Sequence, residues 1–168
     1  MGFNFYIGEF KVEVEYEDRS CRKITEIAND VPGAPLNSSG HTNNFCYPGY
    51  GVWSNFCKEV GLEGVFYSGS RGNQHLPQYW TDDEGETHDG ILSQHAGCVE
   101  LSEGHYRAFV KAHTRWCDRS LAERERLGFE KTNTDPEPRD YVLARLDWLV
   151  FWTRWALDNC KYPSFANT

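Results

Sequence analysis

Residues 141–157 constrain the fold more than any other part of this chain. Read at the period of an α-helix, they carry two adjoining apolar stripes. Val142, Leu146, Leu149, Thr153 and Leu157 form one; Tyr141, Trp148, Trp152 and Trp155 form the other. Arg145, Asp147, Arg154 and Asp158 leave only narrow polar strips between them. A helix this apolar all round does not lie on an ordinary surface. It runs through the core or is shared with a second copy of the chain, and the core is the favoured expectation. It is not a membrane span, because the apolar run at 148–152 is short and flanked by Asp147 and Arg154.

The remaining periodicities point to an α+β fold in one domain, residues 1–168. Phe10, Val12, Val14 and Tyr16 alternate with charged residues, as in a strand with one solvated face. Phe3, Phe5 and Ile7 alternate one residue out of phase, so Gly8 is expected to mark a bulge or turn within a strand at 3–17. A partner strand is expected near 22–27. A helix comes next at about 49–60, with Gly61 as its left-handed stop and Leu62 packing back. Ser102 caps a second helix, with Leu101 and Tyr106 placed as a hydrophobic staple. Its apolar stripe is Tyr106, Phe109, Val110, His113, Trp116, Cys117 and Leu121, and Gly128 is its expected terminator. Asp135-Pro136 signals the start of the last helix. The expected architecture is N-terminal antiparallel strands packed with about three helices, including the buried aromatic-rich one, and two long loops at 29–50 and 68–94.

A net charge of −8 argues against DNA, RNA or anionic membranes as partners. The six cysteines are scattered, with no close CxxC pair, and no basic-then-apolar leader opens the chain, so reduced thiols and a cytoplasmic setting are expected. Tyr6 stands where a myristoylated Gly2 would want Ser or Thr.

Several constellations invite a chemical reading. His88, His95, Cys98 and His105 are zinc-type ligands, but their spacing matches no familiar motif, and no metal or cofactor is assigned. The run Asp82-Asp83-Glu84-Gly85-Glu86-Thr87-His88-Asp89 misplaces the glycine and terminal Glu of a calcium loop and reads as a solvated tip. His113 lies on its helix's apolar stripe and reads as a hydrogen-bonded core histidine. Gly69-Ser70-Arg71-Gly72 is neither a nucleophile elbow nor a phosphate loop, though Arg71 and backbone N–H groups there suit an anion. Residues 43–53 mix rings, amides and glycines before a helix start, which suits a planar or anionic small molecule. The candidate ligand-binding residues are Asn44, Tyr47, Tyr50, Trp53, Arg71, His95 and His105; no catalytic residue is assigned.

Taken with Phe3 to Gly8, the segments Tyr47-Pro48-Gly49-Tyr50-Gly51-Val52-Trp53, His95-Ala96-Gly97-Cys98, Leu101-Ser102-Glu103-Gly104-His105 and Ala144-Arg145-Leu146-Asp147-Trp148-Leu149 resemble uncharacterised small proteins of tailed bacteriophages and bacteria. The resemblance implies a phage or bacterial cytoplasmic setting and an accessory role, and it carries no functional residues. The expected function is a non-enzymatic binding protein that sequesters a nucleotide-like small molecule in a loop-lined pocket. The alternatives are a module that inhibits or adapts a host or viral protein, with the last helix able to join copies of the chain, and a metal- or His-dependent hydrolase.

Overall fold

A computed structural model describes residues 1–16, 19–24, 26–131 and 137–168. The fold is α+β. Its main sheet is antiparallel, with strand order β2 (Arg19–Ile24), β1 (Phe5–Tyr16), β9 (Pro163–Asn167) and β6 (Gly97–Glu100). The short β3 (Phe45–Cys46) pairs with the start of β1. Between β1 and β6 lies the last strand of the chain, so the two ends of the sequence are hydrogen-bonded neighbours.

Phe5 and Ile7 point from β1 into the core and are fully buried. Gly8 does not mark a bulge: pairing with β9 runs without a break from Phe5↔Asn167 to Glu9↔Pro163. The register shift falls instead between Val12 and Val14, against β2. Gly8 is small because the Asn44 amide and the Ile24 side chain approach it, each within 3.3 Å of where a Cβ would stand. The expected partner strand at 22–27 begins and ends about three residues earlier.

The helix α1 (Tyr50–Val60) starts and stops where the sequence indicates. Gly61 is left-handed at φ 76°, and the Leu62 N–H reaches back to the Cys57 carbonyl at 2.8 Å. Directly after it comes α2 (Glu63–Tyr67), which the periodicity did not announce. The long segment 68–94 is not wholly irregular: β4 (Tyr79–Thr81) and β5 (Thr87–Asp89) make a hairpin within it.

The helix expected from Ser102 onward is two helices, α3 (Glu103–Cys117) and α4 (Leu121–Gly128). Ser120 restarts the second by accepting the Glu123 N–H. Leu121 is therefore exposed rather than part of the α3 stripe. Gly128 ends α4 for a packing reason: a Cβ there would lie 2.6 Å from the Trp116 ring. The Asp135-Pro136 signal lies outside the described residues. The two-residue strands β7 (Phe129–Glu130) and β8 (Arg139–Asp140) lead into α5 (Tyr141–Asn159), which Asp140 caps through the Leu143 N–H.

The helix α5 is a core helix, as its two stripes require. It packs against α3, β1 and β9. Trp148, Leu149, Trp152 and Ala156 are fully buried, and the Trp148 ring meets Phe165 of β9 edge-on at 6.1 Å. Among the described residues, no helix is long and apolar enough to cross a membrane.

One buried amide ties the loops to the sheet. Asn44 donates to the Ile7 carbonyl at 2.6 Å and accepts the Ala28 N–H at 2.8 Å. Replacing it by alanine leaves the buried Ile7 carbonyl and the half-buried Ala28 N–H without this partner. Asn44→Ala is expected to lower unfolding free energy by about 1–3 kcal/mol, measured by urea denaturation; an unchanged midpoint would show that water replaces the amide without loss.

Candidate functional site

The candidate site centres on the β4–β5 hairpin and the first turns of α3. Trp80 of β4 turns inward and donates its indole N–H to the Asp89 carbonyl at 3.2 Å. At the hairpin turn, one Asp82 oxygen accepts the N–H groups of Glu84 and Glu86 at 2.9 and 3.0 Å. The other lies 2.8 Å from His88 Nε2. That carboxylate presses on Gly104, where a Cβ would come within 2.2 Å of it. Glycine in the first turn of α3 thus lets the hairpin dock. Arg107, one turn on, holds the hairpin tip through Asp83 at 2.7 Å.

These contacts explain the Asp82 ionisation. The His88 hydrogen bond, aided by the two backbone N–H groups and working against desolvation, pulls its pKa down to about 2. Among the described residues, Asp82, Glu86 and His88 form the one group of three whose ligand atoms lie within 4.8 Å of one another. Both Asp82 oxygens are already committed to hydrogen bonds, so the group reads as the lock of the turn.

His105 sits behind His88, with ring centroids 4.9 Å apart, and edge-on to Trp80 at 5.1 Å. Its Nδ1 accepts the Ser102 N–H at 3.2 Å, in the capping-box position usually held by Glu or Gln. In the neutral ring Nε2 then carries the hydrogen, and it is buried with no protein partner. Burial, reinforced by His88 and opposed by Asp82, pushes the His105 pKa down to about 3.

Two clefts flank this unit. One, of about 420 Å³, is lined by His88, Asp89, Cys98, Glu100, Ser102 and His105 among others. The other, of about 270 Å³, lies between α2, β4 and α3. Its floor includes Val60, Leu62, Val65, Trp80 and Ala108, and Arg107, Lys111 and Arg115 stand along its edge.

The residues singled out in the sequence are dispersed. Asn44 is spent on backbone bonds, and Trp53 is fully buried between Phe5, Phe56 and Phe66. Tyr50 and His95 do meet, hydroxyl to Nε2 at 3.3 Å, over the Phe3 ring, while Asn167 faces His95 Nδ1 at 2.8 Å. Tyr47 is exposed nearby in the chain, and Arg71 is exposed and lines neither cleft. Of the four zinc-type residues, His88, Cys98 and His105 line one cleft and His95 stands apart. Sequence reasoning missed the row Arg107, Lys111, Arg115. Its signal was a four-residue spacing, which stacks the three on one helix face.

Cys117, His113 and Asp147 join the ingredients of a hydrolase in a connected chain. Cys117 Sγ lies 3.7 Å from His113 Nδ1, and His113 Nε2 lies 2.7 Å from Asp147. The His113–Asp147 bond spans α3 and α5, so this histidine is half-buried and hydrogen-bonded, near what its stripe position indicates. The thiol is not activated as a nucleophile. Burial raises its pKa; Arg124 works against that, and the carboxylates of Asp147, Asp140 and Asp118 add to it. It also closes α3 at the C-terminal end, where the helix dipole disfavours a thiolate.

The depressed His105 pKa has a consequence for stability. An unfolded histidine titrates near 6.5, so between there and about 3 the unfolded chain binds the proton that the folded one refuses. The His105 contribution is complete above about pH 6.5 and shrinks as pH falls toward the folded value. His105→Gln keeps a capping acceptor and removes the titration. Urea denaturation across this window should show a flatter fall in stability for the variant; parallel curves would mean that His105 is not held neutral.

No protein-family model, no curated protein and no solved structure matches this chain.

Proposed function

We propose that this chain is a non-enzymatic binding protein that holds a nucleotide-like small molecule in the cleft between α2, β4 and α3. The observation that carries the reading is the cationic row on α3. Arg107 is engaged by hairpin carboxylates, whereas Lys111 and Arg115 make no ion pair among the described residues. Free cations beside an apolar floor suit a ligand with an anionic end and a planar apolar body. The chain as a whole is acidic, so a local cationic edge gives an anion a preferred landing place. The other cleft is bordered by Asp89 and Glu100 and by no Lys or Arg, whereas the two carboxylates beside this one, Asp82 and Asp83, are engaged by His88 and Arg107. In the phage or bacterial setting that the sequence resemblance implies, sequestering a signalling nucleotide is the role we infer. A protein partner is the second reading, supported by the exposed Tyr47, Tyr50 and Val52 at the entry to α1.

Thermal unfolding with a panel of mono-, di- and cyclic nucleotides tests the first reading. A ligand at one hundred times its Kd stabilises by about 2.7 kcal/mol, or roughly 5–10 °C for a chain of this size. The shift should vanish in Lys111→Glu/Arg115→Glu. No shift with any saturating nucleotide would sink the proposal, and a shift that the double variant retains would move the ligand elsewhere.

A further inference from the structure

In the last turns of α3, on two residues that line neither cleft, we propose that His113 and Cys117 form a two-ligand site for a thiophilic divalent cation such as zinc, with Asp147 as its positioning residue. The two side chains are four residues apart on α3 and therefore share a face. Cys117 Sγ and His113 Nδ1 are 3.7 Å apart. Around a tetrahedral zinc, with bonds of about 2.3 Å to sulfur and 2.0 Å to nitrogen, the two ligand atoms stand roughly 3.5 Å apart. The pair is thus at ligand spacing with little movement required.

The imidazole is also turned the right way. An ionised carboxylate only accepts hydrogen bonds, so the 2.7 Å contact with Asp147 places the ring hydrogen on Nε2. In the neutral ring the Nδ1 lone pair then faces the sulfur. A carboxylate behind a ligating histidine is a recurring support of zinc sites: it fixes the tautomer and strengthens the donor.

Charge favours a cation there. Asp118 is next to Cys117 in the chain, and Asp147 stands behind the ring. The nearby Arg124 is committed to Asp140, with two bonds at 3.1 and 2.9 Å. On binding, the metal takes the place of the thiol hydrogen, which leaves as a proton to solvent. Cys117 is exposed, so water can fill the remaining coordination positions. Thiolate with imidazole selects zinc, cadmium or cobalt over magnesium and calcium.

Cadmium titration of the untagged, reduced full chain provides the test, monitored by the ultraviolet charge-transfer band of the thiolate–cadmium bond. The wild-type protein should bind one equivalent that zinc displaces and magnesium does not. Cys117→Ser, at an exposed position, should lose that equivalent while far-ultraviolet dichroism and thermal midpoint stay unchanged. His113→Asn should lose it as well, and Asp147→Asn should weaken it by roughly 10-fold or more. A Cys117→Ser or His113→Asn protein that titrates like wild type would overturn the site. Wild-type affinity in Asp147→Asn would overturn the positioning role.

Discussion

Four aromatic rings close on one another at the centre of this molecule. Phe5 of β1 meets Trp53 of α1 at 4.9 Å, Trp53 meets Phe66 of α2 at 5.2 Å, Phe66 meets Phe165 of β9 at 5.7 Å, and Phe165 returns to Phe5 at 5.1 Å. All four side chains are fully buried, and all four contacts are edge-on, the geometry that ring quadrupoles favour. The cycle needs the last strand of the chain beside the first, which is why α5 must cross the sheet and deliver Phe165. It also fixes α2, and through α2 the candidate cleft. The Ile91 and Leu92 N–H groups bond to the Val65 and Phe66 carbonyls at 3.0 and 2.7 Å, so the segment leaving the hairpin is tied to the same ring cluster. Gly90 permits this approach, since a Cβ there would lie 2.2 Å from the Ser68 carbonyl oxygen.

The parts of the fold that were legible in the sequence are those with a long period. Alternation through β1 and the two stripes of α5 express a geometry that repeats over many residues, and Gly61 and Ser102 add local signals that bound α1 and α3. The rest was hidden for separate physical reasons. A five-residue strand such as β9 is too short for an alternation to stand out, and its pairing with β1 is a contact between chain ends. The β4–β5 hairpin is specified by Asp82 bonding its own turn, a side-chain device that looks like an ordinary acidic loop when only composition is read. The break between α3 and α4 uses neither glycine nor proline; Ser120 makes it by capping the start of α4. Gly128 was placed correctly as an end, yet the reason is the Trp116 ring and not backbone freedom.

The candidate site was less legible than the fold, because composition does not say which polar groups are already satisfied. Residues 43–53 hold rings and amides, but Trp53 belongs to the central cluster and Asn44 to the backbone of β1. By contrast, Arg107, Lys111 and Arg115 keep helical spacing openly. What spacing cannot tell is that Arg107 is taken by carboxylates from the hairpin, far off in sequence, while its two companions make no ion pair among the described residues. The distinction between a structural cation and an available one exists only once the chain has folded.

The same folding event bears on where along α3 the proposed anion would sit. The first turn of a helix is ordinarily the place for one, since its N–H groups and dipole favour negative charge. Here that place is filled from within: the Asp82 carboxylate lies on Gly104, held ionised by His88 and by its own turn. The cleft beyond it carries Glu100 and Asp89, and the buried His105 resists protonation, so that ring adds no positive charge there at neutral pH. For the anionic ligand proposed above, this leaves the flank of the helix, where Lys111 and Arg115 line a cleft with Val65 and Trp80. The hairpin that closes the helix end is also a wall of the flank cleft. Asp82, which fills the tip of α3, is therefore also part of the wall of the cleft in which we propose the ligand sits.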